Sequence, residues 1–193
     1  MPADFLPSAR KQFAYYQLLG EQALAQVPDE ALNWQPNAAC NSLASIVKHL
    51  AGNMRSRWTD FLTTDGEKPW RDREAEFDND LTTRAAILAA WETGWHCLFA
   101  ALDALTEADL ERIIYIRNQG HTVLEAINRQ LAHYPHHVGQ LVLMGKLVQG
   151  EAWQSLSIPR GNSAAFNAGK FAQAPHRAHF TDEVLGGEAG GPR

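Results

Sequence analysis

The sequence has little cysteine and no excess of positive charge. Only Cys40 and Cys97 occur among its 193 residues. They form no CxxC pair, so we expect buried thiols of a reduced compartment rather than a disulfide framework. The formal net charge is −5, which leaves no basic footprint for nucleic acid or anionic lipid. The composition therefore argues against a nucleic-acid-binding protein and against a disulfide-rich scaffold.

Long apolar runs are also missing. The longest ones, such as residues 85–91, are much shorter than the ~20 residues of a membrane span. The first residues lack the charged and apolar regions of a signal peptide, so we expect a cytoplasmic protein without a membrane segment. A composition that is 45% hydrophobic and 20% charged suits one globular domain. We assign residues 1–180 to that domain and expect residues 181–193 to be disordered.

Helical periodicity dominates what the sequence does contain. Apolar residues recur at helical spacing in four long segments, and no segment has the convincing alternation of a strand. We predict helices at about 6–27, 42–61, 81–105 and 122–148, and a short helix at 163–171. Residues 112–117 could form a brief extended piece. Four long helices joined by loops predict an all-α four-helix bundle.

The most informative residues are two histidines on the fourth helix, His133 and His137. Side chains four residues apart share one helix face, with Cβ atoms about 5–6 Å apart. That spacing suits two imidazoles on one metal ion. His49, displaced from the apolar stripe of the second helix, could supply a third ligand. The alternative is that these are partly exposed surface histidines whose spacing is a coincidence.

The other five histidines fit other roles. We expect His136 to be structural or to support the ligands, because it points away from its two neighbours. His96 lies among apolar residues, which favours a packed core or interface position. His121 precedes the start of the fourth helix, and His176 and His179 lie near the end of the chain. None of these five is a candidate ligand.

Pro135 stands between the two helical histidines. Inside a helix, proline removes one backbone hydrogen bond and clashes with the carbonyl of Leu131, at a cost of about 3 kcal/mol. The resulting kink would either bend the site to fit a metal or prevent His133 and His137 from converging.

Three segments, in order along the chain, resemble one known superfamily. Residues 42–53, which contain His49, and residues 133–140 resemble the two ligand motifs of the DinB-like (YfiT-type) proteins. Residues 153–167, with the pattern Trp-x-x-Leu-Ser-Ile-Pro-Arg-Gly-x-Ser-x-x-Phe-Asn, resemble the ending of an uncharacterised branch. The similarity spans about residues 5–170.

The resemblance implies an antiparallel four-helix bundle with a short C-terminal helix, commonly a homodimer. It also implies a divalent metal on His49, His133 and His137. Zinc and nickel both occur in such proteins, and three imidazoles plus solvent suit zinc. The better-known relatives are thiol transferases that use bacillithiol and isomerases that depend on mycothiol. The implied reaction partners are a low-molecular-weight thiol and a small electrophile.

This resemblance points to a metal-dependent thiol S-transferase. Three neutral ligands would leave the full charge on the metal and acidify a coordinated thiol, and the thiolate is the active nucleophile. A metal-dependent hydrolase is a lesser alternative, because no glutamate adjoins the histidine motif as it does in HExxH. A second alternative is a non-catalytic, stress-related binding protein whose metal only joins two helices.

Three polar residues are secondary candidates. Arg160, in a Pro-Gly turn, could meet a substrate carboxylate if that turn folds over the metal pocket. Asn53 and Asp60 lie on the same side of the second helix as His49 and could support the ligand. Surface solvation is the simpler role for Asp60.

Overall fold

Four long helices make up most of the computed structural model, which describes residues 4–186. They are α1 (Phe5–Gln26), α2 (Leu43–Trp58), α3 (Arg84–Asp103) and α4 (Val123–Gln149). Two short helices follow, α5 (Ser163–Phe171) and α6 (Asp182–Leu185). The chain is therefore mostly helical, as predicted, and the predicted helices agree with α1 to α5 to within a few residues at each end.

The four long helices contact one another in a cyclic order. Helix α2 packs against α3 and α4, and α1 packs against α4 and α3. Aromatic rings from three helices meet in the centre, where the ring of Tyr134 lies 5.7 Å from that of Phe13 and 6.0 Å from that of Trp95. All three side chains are fully buried. This shared aromatic centre fixes α4 against α1 and α3.

Side-chain caps begin three of these helices. Ser42 Oγ accepts a hydrogen bond from the Ser45 backbone N–H at the start of α2, and Thr83 caps α3 in the same way. Thr122 and Glu125 form a reciprocal capping box at the start of α4. Each cap satisfies N–H groups that have no partner inside the helix. The caps therefore set the helix starts, and hence where the histidines lie along α2 and α4.

The all-α prediction needs one correction, because the structure contains a small antiparallel sheet. Strand β1 (Ile113–Ile116) pairs with β2 (Gln119–Thr122). The two turn residues, Arg117 and Asn118, have φ angles of 56° and 59°. The carboxylate of Asp65 accepts hydrogen bonds from both of their backbone N–H groups, at 2.8 Å each. This external acceptor stabilises a turn that residues other than glycine rarely adopt.

Helix α4 continues through Pro135. A proline inside a helix leaves the carbonyl four residues earlier without its usual N–H partner. Despite that loss, the helix is unbroken from Val123 to Gln149. His133 and His137 therefore remain on one continuous helix, which the sequence left open.

Helix α3 is the one described helix long and apolar enough to cross a membrane by length and composition. Core helices can meet the same criteria, and Trp95, Leu98 and Leu102 of α3 are buried inside the protein. The absence of a membrane segment and the cytoplasmic location stay predictions. Of the segment expected to be disordered, Asp182–Leu185 form α6, and residues 187–193 lie outside the described part of the chain.

Candidate metal centre

The structure brings the three predicted ligands, His49, His133 and His137, together. His49 comes from α2, and the other two come from successive turns of α4. One ligand atom of each ring lies within 4.8 Å of the others. The Nε2 atoms of His133 and His137 are 3.1 Å apart, close to the roughly 3.3 Å that two zinc–nitrogen bonds of about 2.05 Å imply in a tetrahedral site. The histidines therefore fit a divalent metal.

The Nδ1 atom of each ring contacts a side-chain oxygen. His49 Nδ1 lies 2.9 Å from Glu76 Oε2. His133 Nδ1 lies 3.1 Å from Gln130 Oε1, and His137 Nδ1 lies 2.7 Å from Gln140 Oε1. An oxygen acceptor favours the tautomer with hydrogen on Nδ1, which leaves the Nε2 lone pair free for a metal. Nε2 is therefore the atom that each ring has available for a metal, and in His133 and His137 these atoms are adjacent.

The 3.1 Å contact between His133 and His137 also favours a cation at this point. With hydrogen on both Nδ1 atoms, two Nε2 lone pairs face each other and repel. A proton or a metal ion between them would relieve that repulsion. Protonation is disfavoured, because burial lowers the pKa of His133 to about 3 and that of His137 to about 4, with the neighbouring histidines adding to the effect. A metal ion that binds both lone pairs would relieve the same repulsion.

Glu76 supports this site, and the sequence analysis did not identify it. It lies in a single 3₁₀ turn, Ala75–Phe77, is 5% exposed, and also accepts two hydrogen bonds from Arg71, at 2.6 and 2.9 Å. Burial would raise the pKa of Glu76, but the hydrogen bonds from His49 and Arg71 outweigh it and hold the pKa below its usual value. Glu76 is thus an ionised, fixed partner of His49.

A glycine on α2 makes room for this carboxylate. A Cβ atom at Gly52 would overlap the Glu76 side chain, so a larger residue there would displace it from His49. The ring of Phe77, the next residue, stacks on His49 with ring centroids 5.3 Å apart and covers its face. A polar linker without helical periodicity gave no signal for these contacts. Gln130 and Gln140 each lie three residues from their histidine on α4, a spacing that places them on the same side of the helix.

Tyr134 connects α2 to α4 beside the histidines. The Trp58 indole N–H donates a hydrogen bond to its hydroxyl at 3.0 Å, and the hydroxyl donates to Asn53 Oδ1 at 3.2 Å. Asn53 therefore bonds to a core tyrosine rather than to a ligand. Such buried hydrogen bonds are each worth about 1 kcal/mol. Together they fix the position of His49 along α2 relative to its partners on α4.

The remaining candidates lie outside the cluster. Arg160 is exposed and has no hydrogen bond or ion pair within residues 4–186. Asp60 is exposed at the end of α2. His136 is exposed beside His137, with the two rings 5.1 Å apart. His96 is also exposed, which corrects the expected core position: it occupies the outer face of α3.

The last two histidine predictions concern residues near the chain end. His176 is exposed. His179 Nε2 lies 3.1 Å from Ser8 Oγ, so it joins the end of the chain to α1. Neither histidine takes part in the cluster of His49, His133 and His137.

The fold and this site define a mostly helical protein with a three-histidine cluster that could hold a metal ion. The chain belongs to a family described as protein of unknown function, DUF1572, whose model matches residues 1–162. The matched region contains all three histidines and Glu76. No curated protein and no solved structure matches the chain.

Proposed function

We propose that the chain is a DinB-like, divalent-metal-binding four-helix bundle that acts as a metal-dependent thiol S-transferase. His49, His133 and His137 would hold the metal, and zinc or nickel suits three imidazoles. The observation that carries the proposal is the pairing of all three Nδ1 atoms with side-chain oxygens. It leaves the Nε2 atom of each ring free for a metal, and the three residues offer ligand atoms within 4.8 Å of one another. The cyclic contacts of α1 to α4 support the bundle.

Thiol transfer fits the site better than hydrolysis. A divalent ion on three neutral ligands supplies Lewis acidity that would hold a low-molecular-weight thiol as thiolate. Hydrolysis would need a nearby general base. The ionised carboxylate that contacts His49 is that of Glu76. Both oxygens of Glu76 are already bonded, to His49 and Arg71. Glu76 therefore orients His49, and its lowered pKa makes it a poor acceptor for a proton from water.

The metal site is tested by measuring bound metal in protein purified without a histidine tag. We expect about one equivalent of zinc or nickel by mass spectrometry in the wild type. His137→Ala should lose it, since removal of one of three ligands weakens binding by well over about tenfold. His136→Ala is the matched control, because His136 is the exposed neighbour of His137, and it should retain the metal. Absence of metal, or unchanged binding in His137→Ala, contradicts the proposal.

The activity is tested separately on protein with a full metal complement. Bacillithiol, mycothiol, glutathione and cysteine are each offered with a generic electrophile such as a chlorodinitroarene, and loss of free thiol is followed. We expect turnover with at least one thiol, abolished by EDTA and restored by metal. No turnover with any thiol would contradict the proposed transferase activity. A site with a fourth protein ligand would favour the metal-stabilised binding protein instead.

A further inference from the structure

A second candidate site lies between α2 and α3, under the segment 70–81. It is a cavity of about 370 Å³, within the size range of small-molecule sites. It contains none of the three histidines, although Glu76 and Arg71 line part of its wall. The histidine cluster therefore does not line this cavity, and the two share only the partner residue Glu76.

The walls formed by the two helices are small and apolar. Ala51 and Gly52 of α2 face Ala89 and Ala90 of α3, and Leu81 lies at one side. The space at Gly52 is filled by the Glu76 side chain, whereas the small side chains of Ala51, Ala89 and Ala90 leave an apolar surface that a flat group can cover. The exposed indole of Trp70 lies at the rim, 52% accessible. A flat ligand would cover apolar surface on both walls and on this ring.

The cavity also has uncompensated positive charge. The Arg55 guanidinium lies over the Trp70 ring, 5.2 Å from its centroid, and this side chain forms no ion pair or hydrogen bond within the described residues. Lys48, in contrast, is paired with Asp80 at 2.6 Å. A guanidinium held on an aromatic face keeps its N–H donors free at the edge, where a carboxylate can accept them.

A second, buried guanidinium group has spare donor capacity. The Arg71 side chain is only 2% exposed and bonds Glu76 through Nε and Nη2. Its Nη1 has no hydrogen-bond partner in the described chain, and Glu67 Oε1 is 4.0 Å away. A buried donor without a partner costs free energy. Because this atom is sealed from solvent, Arg71 acts on a bound anion through its positive charge and not through a direct hydrogen bond.

The acidic lining residues are already occupied. Glu76 is bonded to Arg71 and His49, and Asp72 Oδ1 accepts a hydrogen bond from the Ala75 backbone N–H at 3.0 Å. We propose that this cavity binds a small organic anion: a carboxylate on a flat apolar body. The carboxylate contacts Arg55, and the body lies across the small residues on the outer side of α2 and α3, beside Trp70.

The test compares 2-naphthoate with its neutral analogue 2-naphthamide by isothermal titration calorimetry. The two have the same shape and differ in charge. On EDTA-treated protein, we expect the acid to bind about tenfold more tightly than the amide, because charge-assisted hydrogen bonds are the stronger ones. Arg55→Gln should abolish that preference and leave amide binding unchanged. Trp70→Leu should weaken both ligands.

Two controls separate this site from other positive groups. Arg10→Gln removes an exposed arginine on α1 that is paired with Asp103, and it should leave both affinities unchanged. His137→Gln removes a metal ligand and should also leave them unchanged. Equal affinity for acid and amide, no heat at about 5 mM naphthoate, or loss of binding in His137→Gln would each overturn the proposal.

Discussion

At the scale of single residues, the site depends on hydrogen bonds that hold each imidazole in one tautomer. His49 has the only charged partner among the three ligands, Glu76. An ionised acceptor raises the basicity of the opposite ring nitrogen more than an amide oxygen does. His49 is therefore the ligand whose affinity for a metal depends most on a residue outside the cluster.

Replacing Glu76 by glutamine should weaken metal binding. Glu76→Gln keeps the shape but removes the charge that faces His49 and Arg71. We expect metal affinity to fall about 10- to 100-fold, the usual effect of losing such a partner. Competition with a chromophoric chelator measures it. Glu74→Gln, which changes an exposed residue just before the same turn, is the control. Equal affinity in the two variants would show that Glu76 does not act on the metal.

The two histidines on α4 should make the stability of the metal-free protein depend on pH. Their pKa values are lowered by burial, and further by neighbouring histidines that include His49, from 6.5 to about 3 for His133 and about 4 for His137. The unfolded chain therefore binds more protons than the folded one below pH 6.5. The stability that the neutral rings contribute is fully present above pH 6.5 and is lost as the pH falls toward 4.

Urea unfolding of EDTA-treated protein between pH 7.5 and about 4.5 measures this dependence. The double variant His133→Gln/His137→Gln should show a shallower fall in the free energy of unfolding over the same range. Carboxylate titration is common to both proteins, so the difference between the two curves isolates the histidines. Identical curves would contradict the lowered pKa values.

The sequence correctly predicted that His49, His133 and His137 lie close together. It did not predict that Glu76 is the partner of His49. Helical spacing places His133 and His137 on one face of α4. Helical periodicity also displaces His49 from the apolar stripe of α2, which made it a candidate third ligand. Glu76 follows His49 by 27 residues and lies in a linker with no periodicity. A contact of that kind is set by how the linker folds over α2, for which a single sequence carries no pattern.

At the scale of elements, the close approach of α2 and α3 depends on Gly94. A Cβ atom there would lie 2.8 Å from the Cα atom of Ala51, a backbone atom that cannot move without shifting α2. Gly94→Ala should therefore destabilise the protein by about 1–3 kcal/mol, as expected for overpacking. Gly139 on α4 is a matched control, because a Cβ atom there contacts nothing within 4 Å.

Urea unfolding of the two glycine variants tests this difference directly. Gly139→Ala should stabilise the protein by about 0.5–1 kcal/mol, because alanine loses less backbone entropy in a helix. The two substitutions add the same methyl group to helices, so their opposite signs come from the surroundings alone. Destabilisation of equal size by both would mean that the α2–α3 distance adapts.

Elements with a regular period were predictable and those without one were not. The hydrophobic stripes predicted α1 to α4, and their bounds agree with the structure to within a few residues. The β-hairpin was missed as a pair because its turn, Arg117-Asn118, contains no glycine and depends on Asp65, some 52 residues earlier. Local turn signals cannot report an acceptor that distant in sequence.

At the scale of the whole molecule, the histidine cluster joins α2 to α4, two helices separated by a long linker, α3 and the hairpin. A ligand set divided between distant segments exists only in the folded chain. Metal binding therefore favours the folded state and should raise its stability. The homodimer implied by the resemblance stays a prediction, and the metal effect does not depend on it.

Thermal unfolding with and without metal measures this coupling. At a free metal concentration of about 100 times the dissociation constant, binding adds roughly 2.7 kcal/mol, which raises the Tm of a chain of this size by roughly 5–10 °C. His136→Ala should show the same rise, and His137→Ala should show almost none. A rise of equal size in His137→Ala would place the metal on other groups, such as the chain end near His176 and His179. An unchanged Tm in the wild type would mean that the cluster does not bind metal.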